Sequence, residues 1–163
     1  MAKDMANVKK YPIPYRSILA EKIEPGQTLI VQGKTFESAE RFSINFHKDS
    51  ADFSGVDIPL HLSIRFDEGK LGCKIATTKE RAAIVLNSLA AGEWGKEERK
   101  SIPFKKGAAF DIRIRAHDDR FVIFCDHKEF KEFEYRLPLT YITHMSIDGD
   151  LDLANVHWGG KYY

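Results

Sequence analysis

Three short runs between residues 57 and 99 concentrate the side chains able to do chemistry: DIPLHLSIRF, IVLNS and EWGKEER. In the first, every second residue is apolar (Ile58, Leu60, Leu62, Ile64, Phe66), and between them stand His61, Ser63 and Arg65. A period of two predicts a β-strand with one greasy face and one face dressed in hydrogen-bonding groups. The second run carries Asn87. In the third, Glu97 and Arg99 are two apart and share a face if that stretch is also a strand, with Trp94 just before them. Neutral and charged donors, acceptors and one exposed aromatic on a sheet surface suit a sugar better than a phosphate, a metal ion or a base.

H-x-[NS]-x-R, then V-x-N, then W-G-x-E-x-R, in that order and on strand-like sequence, resembles the carbohydrate-recognition domain of the galectins. The resemblance covers residues 15 to 158, and the GDLDLANVHWGGKYY ending is similar to the nematode branch, where a linker and a second copy often follow. It implies a galectin-type jelly roll, a concanavalin-like antiparallel β-sandwich that binds β-galactosides without a metal. By the same resemblance, His61 and Arg65 grip the axial 4-hydroxyl of galactose, which needs partners of both kinds because a hydroxyl both donates and accepts. Ser63 stands where many members carry Asn. Its shorter side chain predicts a weaker or water-mediated contact there. Asn87 and Glu97 would address the 6-hydroxyl, with Arg65 and Arg99 flanking the Glu97 carboxylate in charge-assisted bonds. Trp94 would stack on the C–H face of the sugar.

The elements that must position these groups are short alternating runs: YRSILAEKI, TLIVQGKTF, RFSINFH, IPLHLSIRF, AAIVLNSL, RKSIPF, AFDIRIRAH, RFVIFCDHKEFKEFEY, THMSIDG and LDLANVHW. Pro25-Gly26, His117–Arg120 and Asp148-Gly149 mark turns between them. LPLTYIT predicts a short helical turn, and TTKERAA is the one other stretch with a hint of helical period. Ten or more strands with regular turns predict one antiparallel β-sandwich domain. Residues 1–14, polar and punctuated by proline, are expected to be flexible, and residues 159–163 to begin a linker or tail. LGCKIATTKERAA (71–83) resembles an insertion in a loop bordering the sugar groove. It either alters which extended glycans fit or is a tolerated surface excursion.

Composition excludes several other classes. A net charge of +1, from 25 basic and 24 acidic residues, gives no reason to expect nucleic acid or an anionic membrane as partner. No apolar run approaches the roughly 18 residues of a membrane span, and the N-terminus has no signal-peptide h-region. Synthesis in the cytosol is therefore expected, with export by an unconventional route implied by the resemblance alone. Cys73 and Cys125 are expected to be reduced thiols. A glycoside hydrolase needs two carboxylates flanking the scissile bond, and only Glu97 is expected on the binding face, Glu98 pointing away. Asp148, Asp150 and Asp152 alternate in the manner of calcium ligands, but a turn followed by a solvated strand explains them. No cofactor and no metal are expected. The partners are galactose-containing glycans on glycoproteins or glycolipids, with valency supplied by dimerisation or a second domain. The alternative reading is a galectin-fold protein-interaction module whose lactose binding is altered or lost.

Overall fold

The computed structural model describes residues 11–48, 56–67 and 82–161, with no side-chain account of 160 and 161. Twelve strands follow in chain order: β1 (Tyr15–Ile18), β2 (Gln27–Thr35), β3 (Arg41–His47), β4 (Ile58–Arg65), β5 (Ala83–Ala90), β6 (Glu93–Trp94), β7 (Glu98–Ser101), β8 (Ala109–Ala116), β9 (Arg120–Cys125), β10 (Lys128–Glu134), β11 (His144–Gly149) and β12 (Leu151–Lys161). They form two antiparallel sheets. One runs β1-β11-β3-β4-β5-β6, with β7 also on β5, and the other runs β10-β9-β8-β2-β12. The antiparallel β-sandwich expected from the alternating runs is the fold.

Alternation explains why the sheets face each other. Ile58, Leu60, Leu62, Ile64 and Phe66 are all buried, as are Phe42, Ile44 and Phe46 of β3 and Ile84 and Leu86 of β5. They meet the inward residues of the second sheet. The Phe42 ring stacks on Phe110 at 5.0 Å and Phe46 on Phe121 at 5.6 Å, which ties β3 to β8 and β9. Such offset pairs add to area burial. The polar residues between them are thereby forced onto the outer face of the seven-stranded sheet.

The turns sit where the sequence places them. The backbone N–H of Gln27 donates to the carbonyl of Glu24 around Pro25-Gly26, and that of His117 to the carbonyl of Arg120. At Gly149 the chain crosses from one sheet to the other with φ +125°, and an added Cβ would lie 2.5 Å from the Arg41 carbonyl oxygen and the Phe42 Cα. Asp150 then accepts from the N–H groups of Glu40 and Arg41, so it is a structural cap rather than part of a cage. Leu139–Tyr141 forms the short 3-10 turn expected in LPLTYIT.

Four details differ from the sequence reading. RFVIFCDHKEFKEFEY is a hairpin, not one strand, because Asp126 and His127 both take left-handed φ (49° and 67°), the geometry of a two-residue turn. Of the segment expected to be flexible, residues 1–10 lie outside the described residues, whereas Tyr11 bridges to Leu153 and packs with Ile13 against the core. Gly159 and Lys161, expected in a linker, continue β12, because β2 offers Thr28 and Gln27 as ladder partners. Of the expected insertion 71–83, residues 71–81 lie outside the described residues, as does most of TTKERAA, and Ala83 opens β5. Cys125 is a free, buried thiol whose pKa burial pushes up to about 12. Cys73 lies outside the described residues.

Candidate carbohydrate site

All seven residues singled out in the sequence converge on the outer face of the seven-stranded sheet. Register decides who meets whom. His61 stands opposite Asn45 on β3 and Asn87 on β5, and Val85 has Ser63 on one side and Arg99 on the other. One extra residue on β4 between Ile58 and His61 forms a bulge that re-aims the strand just before the site. His61, Arg65, Asn87, Trp94, Gly95 and Glu97 line a hollow of about 360 Å³. A second hollow of about 350 Å³ shares His61 and Arg65 and continues over Ser63 to Arg41, Ser43 and Asp148. The two make one groove running across β5, β4, β3 and β11.

Trp94 is 52% exposed and sits on the two-residue β6, whose pairing with Leu89 holds it at the sheet edge. Its ring centroid is 5.0 Å from that of His61, tilted by 54°. Trp158, in contrast, packs edge-on against Phe46 and donates its indole N–H to the Glu21 carbonyl. The exposed tryptophan is thus Trp94, the one expected to face the groove.

His61 is held in one tautomer. The Asn45 amide donates to the Ser43 hydroxyl, so its oxygen faces His61 and accepts the Nδ1–H at 2.5 Å. Burial first, and then the charge of Arg65, lower the His61 pKa to about 4 against a smaller opposing pull from Glu97. A neutral ring with Nδ1 protonated leaves Nε2 as a bare acceptor.

Arg65 donates its Nε–H to the Ser63 hydroxyl at 3.1 Å, and its Nη1 lies 3.6 Å from Glu97. Arg99 donates to the other Glu97 oxygen at 3.1 Å. The carboxylate is therefore flanked by two guanidinium groups, as expected. Ser63 is buried, and its hydroxyl orients Arg65. Glu98 does point away, pairing with Lys131 and Arg136 at 3.0 Å each. Asp148, the other carboxylate of the groove among the described residues, stands on β11, three or more strand spacings from Glu97 and thus roughly 15 Å away, too far for a hydrolytic pair.

Asn45 and Arg136 escaped the sequence reading, as did Arg41 and Ser43 at the far end of the groove. Asn45 had a signal: RFSINFH alternates like IPLHLSIRF and sets Ser43 and Asn45 on the polar face. Arg136 had none, since it lies after β10 at the edge of the other sheet and reaches Asn87 across 49 residues.

Comparison with known proteins agrees with this geometry. Residues 14–158 match the family described as galactoside-binding lectin. The chain is similar to the 32 kDa beta-galactoside-binding lectin of Caenorhabditis elegans, 65% identical over 155 residues that cover 95% of this chain and 51% of that protein. It is also similar to the 32 kDa beta-galactoside-binding lectin of Haemonchus contortus, 66% identical over 152 residues covering 93% and 49%. It spans about half the length of these relatives. Its fold is similar to that of sheep galectin-11 in complex with glycerol, with a TM-score of 0.76 at 20% identity over 91% of this chain and 99% of that one.

Proposed function

We propose that this chain, which belongs to the galactoside-binding lectin family, binds terminal or near-terminal β-galactosides of glycoproteins and glycolipids in the groove across β4 and β5, without metal and without chemistry. The observation that carries this reading is a bare acceptor beside a fixed donor next to an exposed indole: His61 Nε2, Arg65 and Trp94. An axial 4-hydroxyl can donate to the first and accept from the second, whereas the equatorial epimer points elsewhere. Glu97 and Asn87 repeat the acceptor-donor pair for a primary hydroxyl. Trp94 supplies the apolar face. A single shallow site binds weakly, so strength at a glycan-bearing surface comes from valency, through a second domain or a second copy.

Calorimetric titration with lactose and with cellobiose, in buffer containing a chelator, tests this directly. Saturable heat with lactose and none with cellobiose is expected. A folded protein that ignores millimolar lactose, or binds it only when calcium is restored, rules the reading out.

A second expectation follows from the neutral histidine. With the His61 pKa lowered to about 4, its acceptor persists down to acid pH, so lactose affinity stays flat from pH 8 to about pH 5. It declines only as pH falls through 4, where the proton and the sugar compete for Nε2. A histidine at its ordinary pKa of about 6.5 would instead lose about twenty-five-fold between pH 7 and 5. Titrations across that range distinguish the two, and a tenfold fall by pH 5 contradicts the neutral-acceptor assignment.

A further inference from the structure

Asn87 is surrounded on three sides. Its Oδ1 accepts from the backbone N–H of Ser88 at 2.8 Å and from Arg136 Nη1 at 2.9 Å, and its Nδ2 donates to the Gly95 carbonyl at 3.0 Å. Arg136 reaches it from the loop after β10, on the edge of the opposite sheet. Its guanidinium lies over the Phe133 ring at 4.6 Å, and its side chain is 26% exposed. The remaining donors clamp the strip that follows Trp94: Nη2 donates to the Lys96 carbonyl at 2.6 Å and to Glu98 at 3.0 Å, and Nη1 also reaches the Ser88 hydroxyl at 3.2 Å. One planar fork therefore ties β5 to the start of β7.

An amide flipped by 180° would set its NH₂ against two N–H donors, Ser88 and Arg136, so the observed orientation is enforced. Both acceptor sites of Oδ1 are then occupied and one Nδ2–H is spent on Gly95. A single N–H remains for the groove, beside the acceptor Glu97.

We propose that Arg136 is a positioning residue of the sugar site: by occupying Asn87 Oδ1 it makes Asn87 present only a donor to the groove, and so sets a requirement for a ligand hydroxyl that accepts from Asn87 while donating to Glu97. This rests on the galactoside reading above and identifies that hydroxyl as the 6-hydroxyl of galactose. Without the guanidinium, Asn87 is held by Ser88 and Gly95 alone and one Oδ1 acceptor site is released, so the groove offers a mixed donor and acceptor that no longer selects for it.

The test compares lactose with 6′-deoxylactose, which lacks that hydroxyl, on the wild type, Arg136→Met and Arg136→Lys. The wild type is expected to prefer lactose by about tenfold or more, the scale of a hydrogen bond to a charged partner. Arg136→Met is expected to lose about tenfold on lactose and no more than about twofold on 6′-deoxylactose, which collapses the preference. Arg136→Lys restores part of it by donating to Oδ1. Equal losses on both sugars mark a purely structural arginine, and unchanged affinity for both marks an idle one; either overturns the proposal. If Arg136→Met does not fold, Gly95→Ala disturbs the same junction from the groove side. Its Cβ would lie 2.8 Å from Arg136 Nη1 and 3.2 Å from Asn87 Oδ1 and Ser88 Oγ. The same collapse is required of it, and a retained preference overturns the proposal. A wild type that binds neither sugar defeats the galactoside reading itself and this inference with it.

Discussion

Trp94→Ala is expected to weaken lactose binding by about a hundredfold, the largest loss of any single substitution in the groove, and to leave the melting temperature almost unchanged. The two halves of that result have separate causes. The indole is 52% exposed and its neighbours are His61 and the edge of β5, not the core. Truncating an exposed side chain of this kind usually moves stability by no more than about 0.5 kcal/mol. Stacking a galactose ring on it covers roughly 100 Å² of apolar surface, and at about 25 cal/mol per Å² that is about 2.5 kcal/mol, or close to a hundredfold in affinity. Calorimetry and a thermal melt on the same preparation read both quantities. Binding within fivefold of wild type would remove Trp94 from the site.

Arg65→Met is expected to cost about thirtyfold in lactose affinity, less than the tryptophan because one charged hydrogen-bonding partner contributes about 1.5–3 kcal/mol. Methionine keeps much of the stem volume, so the change removes the guanidinium rather than opening a void. Lost together are the donor proposed for the 4-hydroxyl, the bond to Ser63 and one of the two cations flanking Glu97. The substitution also has a signature that packing damage would not reproduce. The charge of Arg65 is the second cause lowering the His61 pKa, after burial. Removing it shifts that pKa up toward the ordinary value, so the acid loss of lactose binding begins at a higher pH than in the wild type. An imidazole titration by NMR would follow His61 directly. A variant that binds lactose within threefold of wild type, with the acid limb unmoved, would show that the polar half of the site lies elsewhere.

The strand carrying His61 and Arg65 could be read from its residues because period-two alternation is a local property. Once Ile58, Leu60, Leu62, Ile64 and Phe66 go to the core, the residues between them have one face left. Trp94 was legible from its place in the EWGKEER run, just before Glu97 and Arg99 on the face left to polar residues. The RFVIFC and KEFKEFE hairpin was not, since Asp126-His127 reaches left-handed φ without the Asn-Gly or Asp-Gly signal that announces such turns. Nor was the strand through Gly159 and Lys161, where two glycines suggest a linker until β2 supplies the ladder.

What the chain determined by itself is therefore the alternation, and with it the sandwich, the exposed face and the kinds of chemistry that face presents. Tertiary structure alone decided the partners. That Asn45 lies opposite His61 and fixes its tautomer depends on the β3–β4 register, which brings together residues 16 apart in the chain. That Arg136 holds Asn87 depends on the edge of the second sheet coming round to the first, a contact across 49 residues with no periodic trace in the sequence. Even the serine between His61 and Arg65 takes its partner from the fold, its hydroxyl accepting from Arg65, because a hydroxyl bonds to whatever is brought within about 3 Å. Side-chain period is a property of the backbone at each residue, but hydrogen-bond partnership is a property of the space between strands, and that space exists only once the sheets have formed.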